Sequence, residues 1–319
     1  MATLITGGTG FVGAEVIRLL LEKGEKDLVA FDIIPSTKRL EGIVDRVKIV
    51  QGDLGNVSHV LNVVKNFRPK VIYHVGGLLA ISSEADPSSA IRVNVLGTHY
   101  VMEAARLFDV PKVLFSSTLG TYGLDIRENV IDDYTLQRPN IIYGAAKLFC
   151  EHMGLVYRDK YGLDFRTVRY PSLVGPGVKT PGMIQYASAV IEESAKGNPY
   201  TIYVKPETRF PVMYFKDAAR AIVELGAAPI GNIKMVNYVV AGATPVASAQ
   251  ELAEMVKARI PAAQIDFKPN MEIQRILDKV SPPRDDCAQK EWNWRPQFNQ
   301  ERIVEDFLKE LKVHPQRYL

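Results

Sequence analysis

Short apolar runs alternate along the first half of the chain with longer segments in which apolar residues recur every three or four positions. This alternation predicts β-strands separated by amphipathic helices, which is typical of a doubly wound parallel sheet in an α/β fold. The predicted strands are Thr3–Thr6, Leu28–Asp32, Val47–Val50, Val71–Val75, Val113–Phe115 and Phe165–Arg169. The predicted helices are Glu15–Glu22, Val57–Phe67, one carrying Val93, Val95, Tyr100, Val101 and Ala104, and Tyr143–Tyr161, with a polar loop at Leu78–Ser89.

The pattern changes after residue 172, where the elements become shorter and turn residues more frequent. Gly175–Gly182 is rich in glycine and proline and predicts a loop. Further helices are predicted at Met183–Lys196, Asp217–Gly226, Ser248–Arg259 and Gln300–Leu311, and short strands at Tyr200–Val204, Val236–Val240 and Gln264–Phe267. We expect a first domain over 1–172 and a smaller C-terminal α/β lobe over 173–319 without a large core of its own. Some later segments are expected to return to the first domain.

The composition indicates an ordinary globular chain of 319 residues, of which 47% are hydrophobic and 24% charged. The net charge is only +3 and basic residues are scattered among acidic ones, so neither nucleic acid nor a membrane is expected as a partner. A cytoplasmic location is expected, because no signal peptide is recognised and no apolar run approaches about 20 residues. Cys150 and Cys287 lack the spacing of a metal site or a disulfide framework, so we expect two buried thiols and no metal.

A glycine-rich segment joins the first strand to the first helix. Its candidate cofactor-binding residues are Gly7, Gly10, Phe11, Val12 and Gly13. Glycines here let the backbone turn tightly and approach a pyrophosphate, which the helix N-terminus attracts. The second strand ends in Asp32, whose carboxylate can accept hydrogen bonds from ribose hydroxyls and repel a 2′-phosphate. This predicts NAD rather than NADP, unless Asp32 is only a solvated residue at a strand end.

The carboxyl ends of later strands carry further candidates for cofactor contacts, because ligands bind at this edge of an open parallel sheet. They are Asp53 and Leu54 after the third strand, Gly76 and Gly77 after the fourth, and Ser116 near the end of the fifth. Asn94 lies on a largely apolar helix, where it either braces a neighbouring loop or is a satisfied core amide. His74 lies within an apolar run and is expected in the core.

A phenol and an ammonium lie four residues apart at the start of a long helix, as Tyr143 and Lys147. Residues at this spacing share a helix face, and a nearby positive charge favours the phenolate, so Tyr143 is a candidate general acid/base. A tyrosine and lysine at this spacing are, taken alone, more often structural. Thr118 ends the fifth strand, where its hydroxyl can reach a reacting oxygen.

The glycine motif, Asp32, Thr118 and Tyr143-x-x-x-Lys147, in this order, resemble the extended short-chain dehydrogenase/reductases of the NAD-dependent epimerase/dehydratase superfamily. Within it, four segments are most similar to the epimerase-like L-threonine 3-dehydrogenases: Leu136–Lys147, Tyr161–Arg166, Arg169–Pro171 and Pro211–Tyr214. The resemblance implies an NAD-binding Rossmann domain over 1–172 and a mainly substrate-binding lobe over 173–319.

The resemblance also implies roles for single residues. Thr118 would bond the substrate oxygen, Tyr143 would exchange its proton, and Lys147 would hold the nicotinamide ribose and lower the pKa of the tyrosine. Tyr170 and Pro171 would line the nicotinamide. A homodimer would form through the Tyr143 helix and the helix before it.

Three segments depart from the threonine dehydrogenase pattern at positions that line the pocket in that family. The chain has Ala80 where a serine is usual, Ser172 where a glycine is usual, and Met183-Ile184 where two threonines are usual. The candidate substrate-binding residues are Ala80, Ser82, Thr118, Ser172, Met183, Ile184 and Arg209. The lost hydroxyls, together with a lost carboxylate after Ile184, make the pocket less suited to a small zwitterion.

We therefore expect an NAD-dependent oxidoreductase that interconverts a secondary alcohol and a ketone and takes a less zwitterionic small molecule than threonine. One alternative is a nucleotide-sugar epimerase or dehydratase with tightly bound NAD, for which Arg209 and Arg284 are candidate anchors of the diphosphate. Another alternative is a catalytically silent NAD-sensing protein, because a fold does not determine a function.

Overall fold

The computed structural model describes residues 1–178, 182 and 184–318, and its main feature is a parallel sheet of seven strands. The strands are β1 Thr3–Thr6, β2 Leu28–Asp32, β3 Val47–Gln51, β4 Val71–His74, β5 Lys112–Thr118, β6 Asp164–Tyr170, β7 Ser172–Val174, β8 Tyr200–Ile202, β9 Val212–Tyr214, β10 Asn237–Val239 and β11 Ile265–Phe267. Their order across the main sheet is β10-β6-β5-β4-β1-β2-β3. The predicted doubly wound α/β fold is confirmed.

Helices cover both faces of this sheet and build most of the remainder. They are α1 Gly13–Glu22, α2 Val57–Phe67, α3 Ala80–Ala85, α4 Pro87–Ala90, α5 Gly97–Leu107, α6 Ile142–Tyr161, α7 Tyr186–Ala195, α8 Phe215–Ala227, α9 Ala249–Arg259, α10 Met271–Leu277, α11 Asp286–Trp292 and α12 Gln300–Val313. A π-helix at Ile91–Leu96 runs directly into α5. None of the described helices has both the length and the apolar character needed to cross a bilayer.

The direction in which the chain adds strands reverses between β1 and β4. β2 and β3 are added on one side of β1, and β4, β5, β6 and β10 on the other. β1 and β4 are paired in register, with Thr6 opposite His74, so the segments that follow these two strands leave the sheet side by side. Such a switch point opens a crevice at the carboxyl edge, which is the usual ligand site of an open α/β sheet.

The segment 78–89, predicted as a polar loop, forms the short helices α3 and α4, so that prediction is wrong. Asp86 precedes α4, where its side chain accepts a hydrogen bond from the Ser89 amide at 3.0 Å, and Pro87 occupies the first turn. Each helix buries one small residue, Ser83 or Ala90. With so little apolar periodicity, the polar composition of the segment favours a loop prediction.

Later segments return to the main sheet, as expected. β10 pairs with β6 through Asn237 opposite Thr167, so the strand predicted at 236–240 belongs to the main sheet and not to the smaller lobe. α8 contributes Ala218 and Ile222 to the same hydrophobic core. The first part of the chain is therefore completed by residues from beyond position 172.

The smaller lobe was expected to have no large core of its own, but the structure gives it a separate cluster of buried hydrophobic residues. Its fully buried residues include Val190 and Ile191 from α7, Ile202 from β8, Val256 from α9 and Phe307 from α12. The short strands form two parallel pairs, β8 with β11 and β7 with β9. Three helices bring their apolar faces together here, which composition read one element at a time does not show.

Candidate active site

The loop after β1 and the loop after β4 touch through two glycines. Gly7 has a φ of 64°, a left-handed conformation that favours glycine. A Cβ placed on Gly7 would lie 2.7 Å from the Cα of Gly76, so neither position leaves room for a side chain. Gly13 closes the turn in the same way, because its Cβ would lie 2.1 Å from the Gly7 carbonyl oxygen. We call Gly7, Gly10, Gly13 and Gly76 the glycine cradle.

Phe11 and Val12, the other two candidates in the first loop, pack their side chains against other parts of the protein. The ring of Phe11 stacks on Phe215 with centroids 5.3 Å apart, and the guanidinium of Arg39 lies 5.1 Å from its centroid. Val12 immediately precedes α1. Both side chains are thus used in packing or helix entry, and the first amides of α1 lie beside the switch point, where a phosphate would meet them.

Asp32 is held at the end of β2 by the glycine-rich loop. Its Oδ2 accepts hydrogen bonds from the amide of Thr9 at 3.1 Å and from its hydroxyl at 2.9 Å. The next two residues, Ile33 and Ile34, are exposed apolar side chains, 55% and 73% exposed. Sequence reasoning did not select them, although two isoleucines after a strand-end acid suggest an apolar surface for a flat ring.

The side chains of Asp53 and Leu54, predicted to contact the cofactor, are engaged with other parts of the protein. Asp53 Oδ2 lies 2.6 Å from Arg92 Nη1 and its Oδ1 accepts a hydrogen bond from the Gly55 amide, so the carboxylate is paired with protein groups near the surface. Leu54 is 8% exposed and packs under Gly76. Leu54 thus packs against the switch point, whereas Asp53 bonds Arg92.

Asn94 braces the loop after β4, which decides between its two predicted roles. Its Oδ1 accepts from the Leu78 amide at 2.8 Å, and its Nδ2 donates to the Leu78 carbonyl at 3.0 Å. Gly77 lies close to both Asn94 and Lys147, because a Cβ there would lie 2.9 Å from Asn94 Oδ1 and 3.7 Å from Lys147 Nζ. Asn94 belongs to the π-helix and acts through this loop.

Tyr143 and Lys147 lie in the first turns of α6, as predicted. Lys147 Nζ lies 5.9 Å from the centroid of the Tyr143 ring and 4.6 Å from that of Phe115, and it donates to the Ser116 carbonyl at 2.8 Å. Burial lowers the pKa of Lys147 to about 8. Burial likewise raises the pKa of Tyr143 to about 12. The ammonium was expected to lower the pKa of the tyrosine, but desolvation raises it instead.

Thr118 is brought to Tyr143 by two glycines. The 3₁₀ turn Leu119–Thr121 follows β5, and Thr118 Oγ1 accepts from the Gly120 amide at 3.0 Å. A Cβ on Gly144 would lie 2.0 Å from the Gly120 carbonyl oxygen, so the turn packs backbone to backbone on α6. A Cβ on Gly120 would also lie 3.8 Å from the Tyr143 ring. We call Thr118, Tyr143 and Lys147, the three residues predicted to be catalytic, the catalytic corner.

Glu84 was not selected from the sequence but reaches this corner. Its Oε1 accepts a hydrogen bond from the Tyr143 amide at 3.2 Å, at the positive end of α6. The side chain comes from α3, whose helical structure the sequence did not reveal. An acid seven residues after a strand-end glycine pair is too weak a signal to identify it.

The predicted substrate residues fall in different environments. Ala80 is half-buried at the start of α3, Ser82 is exposed on the same helix, and Ser172 is half-buried directly after Pro171. Ile184 is 9% exposed within the core of the smaller lobe, so its side chain packs there and does not offer an open pocket surface. Met183 lies outside the described residues.

Tyr170 and the two proposed arginine anchors are already occupied. The Tyr170 hydroxyl donates to the Ala218 carbonyl at 2.8 Å, so its ring lies in the core and only its backbone lies near Pro171. Arg209 forms a paired contact with Glu251 at 2.7 and 2.8 Å. Arg284 bonds Asp132 at 2.9 Å. Both arginine side chains are about half exposed and are paired with acids, and their role as diphosphate anchors stays a prediction.

Two other sequence expectations concern thiols and a histidine. Cys150 is buried, and burial raises its pKa to about 11, whereas Cys287 is only half-buried, contrary to the expectation for it. His74 is bonded to Thr6 at 2.7 Å and Thr98 at 2.9 Å, and burial lowers its pKa to about 3. His74 is thus the predicted core residue. Among the described residues, no three metal-ligating side chains cluster.

Comparison with known proteins gives one consistent result. L-threonine 3-dehydrogenase, mitochondrial, of Bos taurus is 31% identical over 309 residues, which cover 96% of this chain and 81% of that protein. D-erythronate dehydrogenase of Cupriavidus necator is 32% identical over 251 residues, covering 74% and 76%. The structure of L-threonine dehydrogenase from Phytophthora infestans superimposes with a TM-score of 0.87 at 29% identity, covering 98% and 99%. Residues 3–241 match the family model described as NAD dependent epimerase/dehydratase, and the chain belongs to that family.

Proposed function

We propose that this protein is an NAD-dependent dehydrogenase that oxidises a secondary alcohol or reduces the corresponding ketone. The observation that carries the proposal is the meeting of Thr118, Tyr143 and Lys147 at the carboxyl end of β5, beside the glycine cradle. A hydroxyl, a phenol and an ammonium in one corner can bind an alcohol oxygen and move its proton. The relatives named as threonine and erythronate dehydrogenases support this reaction class.

The cradle fits a dinucleotide with a free 2′-hydroxyl. Gly7 and Gly76 let the loops after β1 and β4 pack backbone to backbone at the switch point, where a pyrophosphate would lie, and Asp32 presents a carboxylate at the end of β2. Arg39 is not available for a 2′-phosphate, because it lies between the rings of Phe11 and Tyr318 and donates to the Gly177 carbonyl at 2.9 Å. We therefore propose NAD and not NADP.

Each residue of the catalytic corner has a separate task in the proposed oxidation. The carbon–hydrogen bond breaks with its electron pair leaving as hydride, for which NAD supplies the acceptor. Tyr143 takes the hydroxyl proton, while Thr118 hydrogen-bonds the same oxygen. Lys147, next to Gly77, lies where it can hold the nicotinamide ribose. Because burial raises the pKa of Tyr143 to about 12, the phenolate fraction and the oxidation rate should rise with pH through the neutral range.

The substrate is proposed to be less zwitterionic than threonine. A buried ammonium or carboxylate without a partner costs several kcal/mol, and Ala80 offers no hydrogen bond where the threonine enzymes carry a serine. A hydroxy acid, the class to which erythronate belongs, needs no partner for an ammonium. The ion pairs of Arg209 and Arg284 count against a nucleotide sugar.

We also propose a cytoplasmic homodimer. Phe149 and Val156 lie seven residues apart on one face of α6 and are 56% and 55% exposed, and Leu107 at the end of α5 is 50% exposed. Apolar residues of this size on neighbouring helices suit contact with a second copy.

The two cysteines are free thiols, which suits a reducing compartment such as the cytoplasm.

A substrate panel tests the proposed function. Hydroxy acids, amino alcohols, L-threonine and nucleotide sugars are incubated with NAD, and NADH formation is followed by absorbance. We expect turnover with a hydroxy acid and little with threonine. Tyr143→Phe should lower kcat by about 100-fold or more with NAD affinity retained, whereas the exposed Tyr134→Phe control should not. Retention of NAD through gel filtration, without NADH formation from any substrate, would instead favour an epimerase.

A further inference from the structure

A fully buried ion pair lies directly behind the catalytic corner. Glu151 is 0% exposed and Arg169 is 4% exposed. The Nη2 of Arg169 lies 2.7 Å from Glu151 Oε2, and its Nε contacts both carboxylate oxygens at 3.1 Å. Neither residue touches the position proposed for substrate or cofactor, and the proposed reaction assigns them no task.

The carboxylate connects the two elements that carry the catalytic side chains. Glu151 lies four residues after Lys147 and eight after Tyr143, so all three share one face of α6. Its Oε1 accepts a hydrogen bond from the Ser117 hydroxyl at 2.5 Å. Ser117 is the immediate neighbour of Thr118 on β5. Two contacts therefore fix the distance from Thr118 to Tyr143. One is the bond between Ser117 and Glu151, and the other is the backbone contact of Gly120 with Gly144.

The guanidinium extends the same unit to two further segments. Arg169 Nη1 donates to the Tyr122 hydroxyl at 2.9 Å, and Nη2 donates to Gln137 Oε1 at 3.1 Å. These partners lie on either end of the connection between β5 and α6. Arg169 itself belongs to β6, two residues before Pro171. Strand β5, the connection between β5 and α6, helix α6 and strand β6 are thus linked through side-chain hydrogen bonds to one pair of charges.

We propose that Glu151 and Arg169 are positioning residues that fix β5, α6 and β6 in the register the reaction needs. This inference rests on the proposed function. Removing two charges from water is costly, and apolar side chains of similar volume often stabilise a fold as well or better. An apolar pair, however, lacks the direction of a carboxylate that bonds Ser117 on one side and Arg169 on the other. The hydrogen-bond network fixes the relative positions of β5, α6 and β6 more narrowly than apolar packing alone would.

The smallest perturbation is Ser117→Ala, which removes only the link between β5 and Glu151. We expect kcat to fall by about tenfold while the KM for NAD changes little, because hydride and proton transfer are sensitive to small displacements. Thr208→Val is the matched control. It removes another buried hydroxyl hydrogen bond, to Gln274 Oε1 at 3.0 Å in the smaller lobe, and should leave kcat unchanged. A kcat for Ser117→Ala equal to that of the control would overturn the proposal.

A second variant separates positioning from stability. Glu151→Met combined with Arg169→Met removes both buried charges, and we expect thermal stability near that of the native protein but a kcat at least as low as in Ser117→Ala. Native kcat in this double variant would show that the pair only supports the fold, and would overturn the inference.

A substrate-independent readout keeps this inference distinguishable from the proposed function. The Gly120 amide bonds Thr118 Oγ1, so its hydrogen exchange should become faster in Ser117→Ala while exchange in α12 stays constant. Unchanged exchange at Gly120 would count against the positioning role. Absence of NADH formation from the native protein with every substrate would count against the proposed function alone.

Discussion

The glycine cradle and the catalytic corner lie at the same edge of one sheet but are built by opposite means. In the cradle, backbone meets backbone, and Gly7, Gly13 and Gly76 matter because they have no side chain. The catalytic corner is instead built from polar side chains. The distances between Thr118, Tyr143 and Lys147 depend on hydrogen-bonded residues behind them, such as Ser117, Glu151 and Arg169. A backbone-built site fails by steric overlap, whereas a side-chain-built site fails by losing a charge, a proton or a hydrogen bond.

The variant expected to have the largest effect is Gly13→Ala in the glycine cradle. The added Cβ would lie 2.1 Å from the Gly7 carbonyl oxygen and 2.9 Å from the Gly8 Cα, and neither atom belongs to a side chain that could move away. We expect NAD affinity to fall by about 100-fold or more and the free energy of unfolding by about 3 kcal/mol. Calorimetric titration and urea unfolding measure the two effects. Gly231→Ala, with no atom within 4 Å of the new Cβ, is the control and should change neither.

Lys147→Met tests the corner, where charge and not shape is decisive. Burial lowers the pKa of Lys147 from 10.5 to about 8, so between these values the unfolded chain binds more protons than the folded one. Stability should therefore rise with pH in this window, by about 1 kcal/mol between pH 7 and pH 9 relative to Lys147→Met, which lacks the group. Urea unfolding of both proteins at each pH measures this difference.

The same variant should also lose turnover, since the proposed ribose contact disappears. Lys312→Met, at an exposed lysine, should follow the native pH dependence and keep its activity. An identical pH dependence in Lys147→Met and the native protein would contradict the assigned burial of the ammonium.

Asp32→Ala is expected to have the smallest effect. Asp32 belongs to both regions, because its side chain bonds the glycine-rich loop and is also proposed to bind the cofactor. Its carboxylate is proposed to hold the ribose, but it also bonds the Thr9 amide and hydroxyl of the cradle. We expect the preference for NAD over NADP to narrow by about tenfold, since charge-assisted hydrogen bonds and repulsion of a 2′-phosphate are lost together. Competitive titration of the two cofactors measures the preference. Asp45→Ala, at an exposed acid, should leave it unchanged, and equal affinity in the native protein would contradict the proposal.

This contrast also explains how much the sequence could predict. Gly7 and Gly13 act within one short turn, so their spacing alone shows what they do, and the strand and helix around them were predicted to within a few residues. Tyr143 and Lys147 were found for the same reason, as neighbours on one helix face. Local patterns are visible wherever the partners are close in the chain.

The supports of the catalytic corner could not be predicted, because they join distant residues. Ser117 and Glu151 are 34 residues apart, and Glu84 lies 59 residues before Tyr143. The pKa of Tyr143 was expected to fall beside Lys147, but burial is a property of the folded chain and has the opposite effect. The ion pair of Arg209 with Glu251 was hidden in the same way.

The π-helix at Ile91–Leu96 sets the rotational phase between the loop after β4 and α5. A π turn holds one residue more than an α turn, and one residue corresponds to about 100° of rotation around an α-helix. Deleting a single residue from this segment would allow ordinary α pairing but would rotate Asn94 away from Leu78 or turn α5 away from its core contacts. The extra residue therefore rotates one part of a continuous helix relative to the other. This rotation allows Asn94 to bond Leu78 while α5 keeps its apolar face on the core.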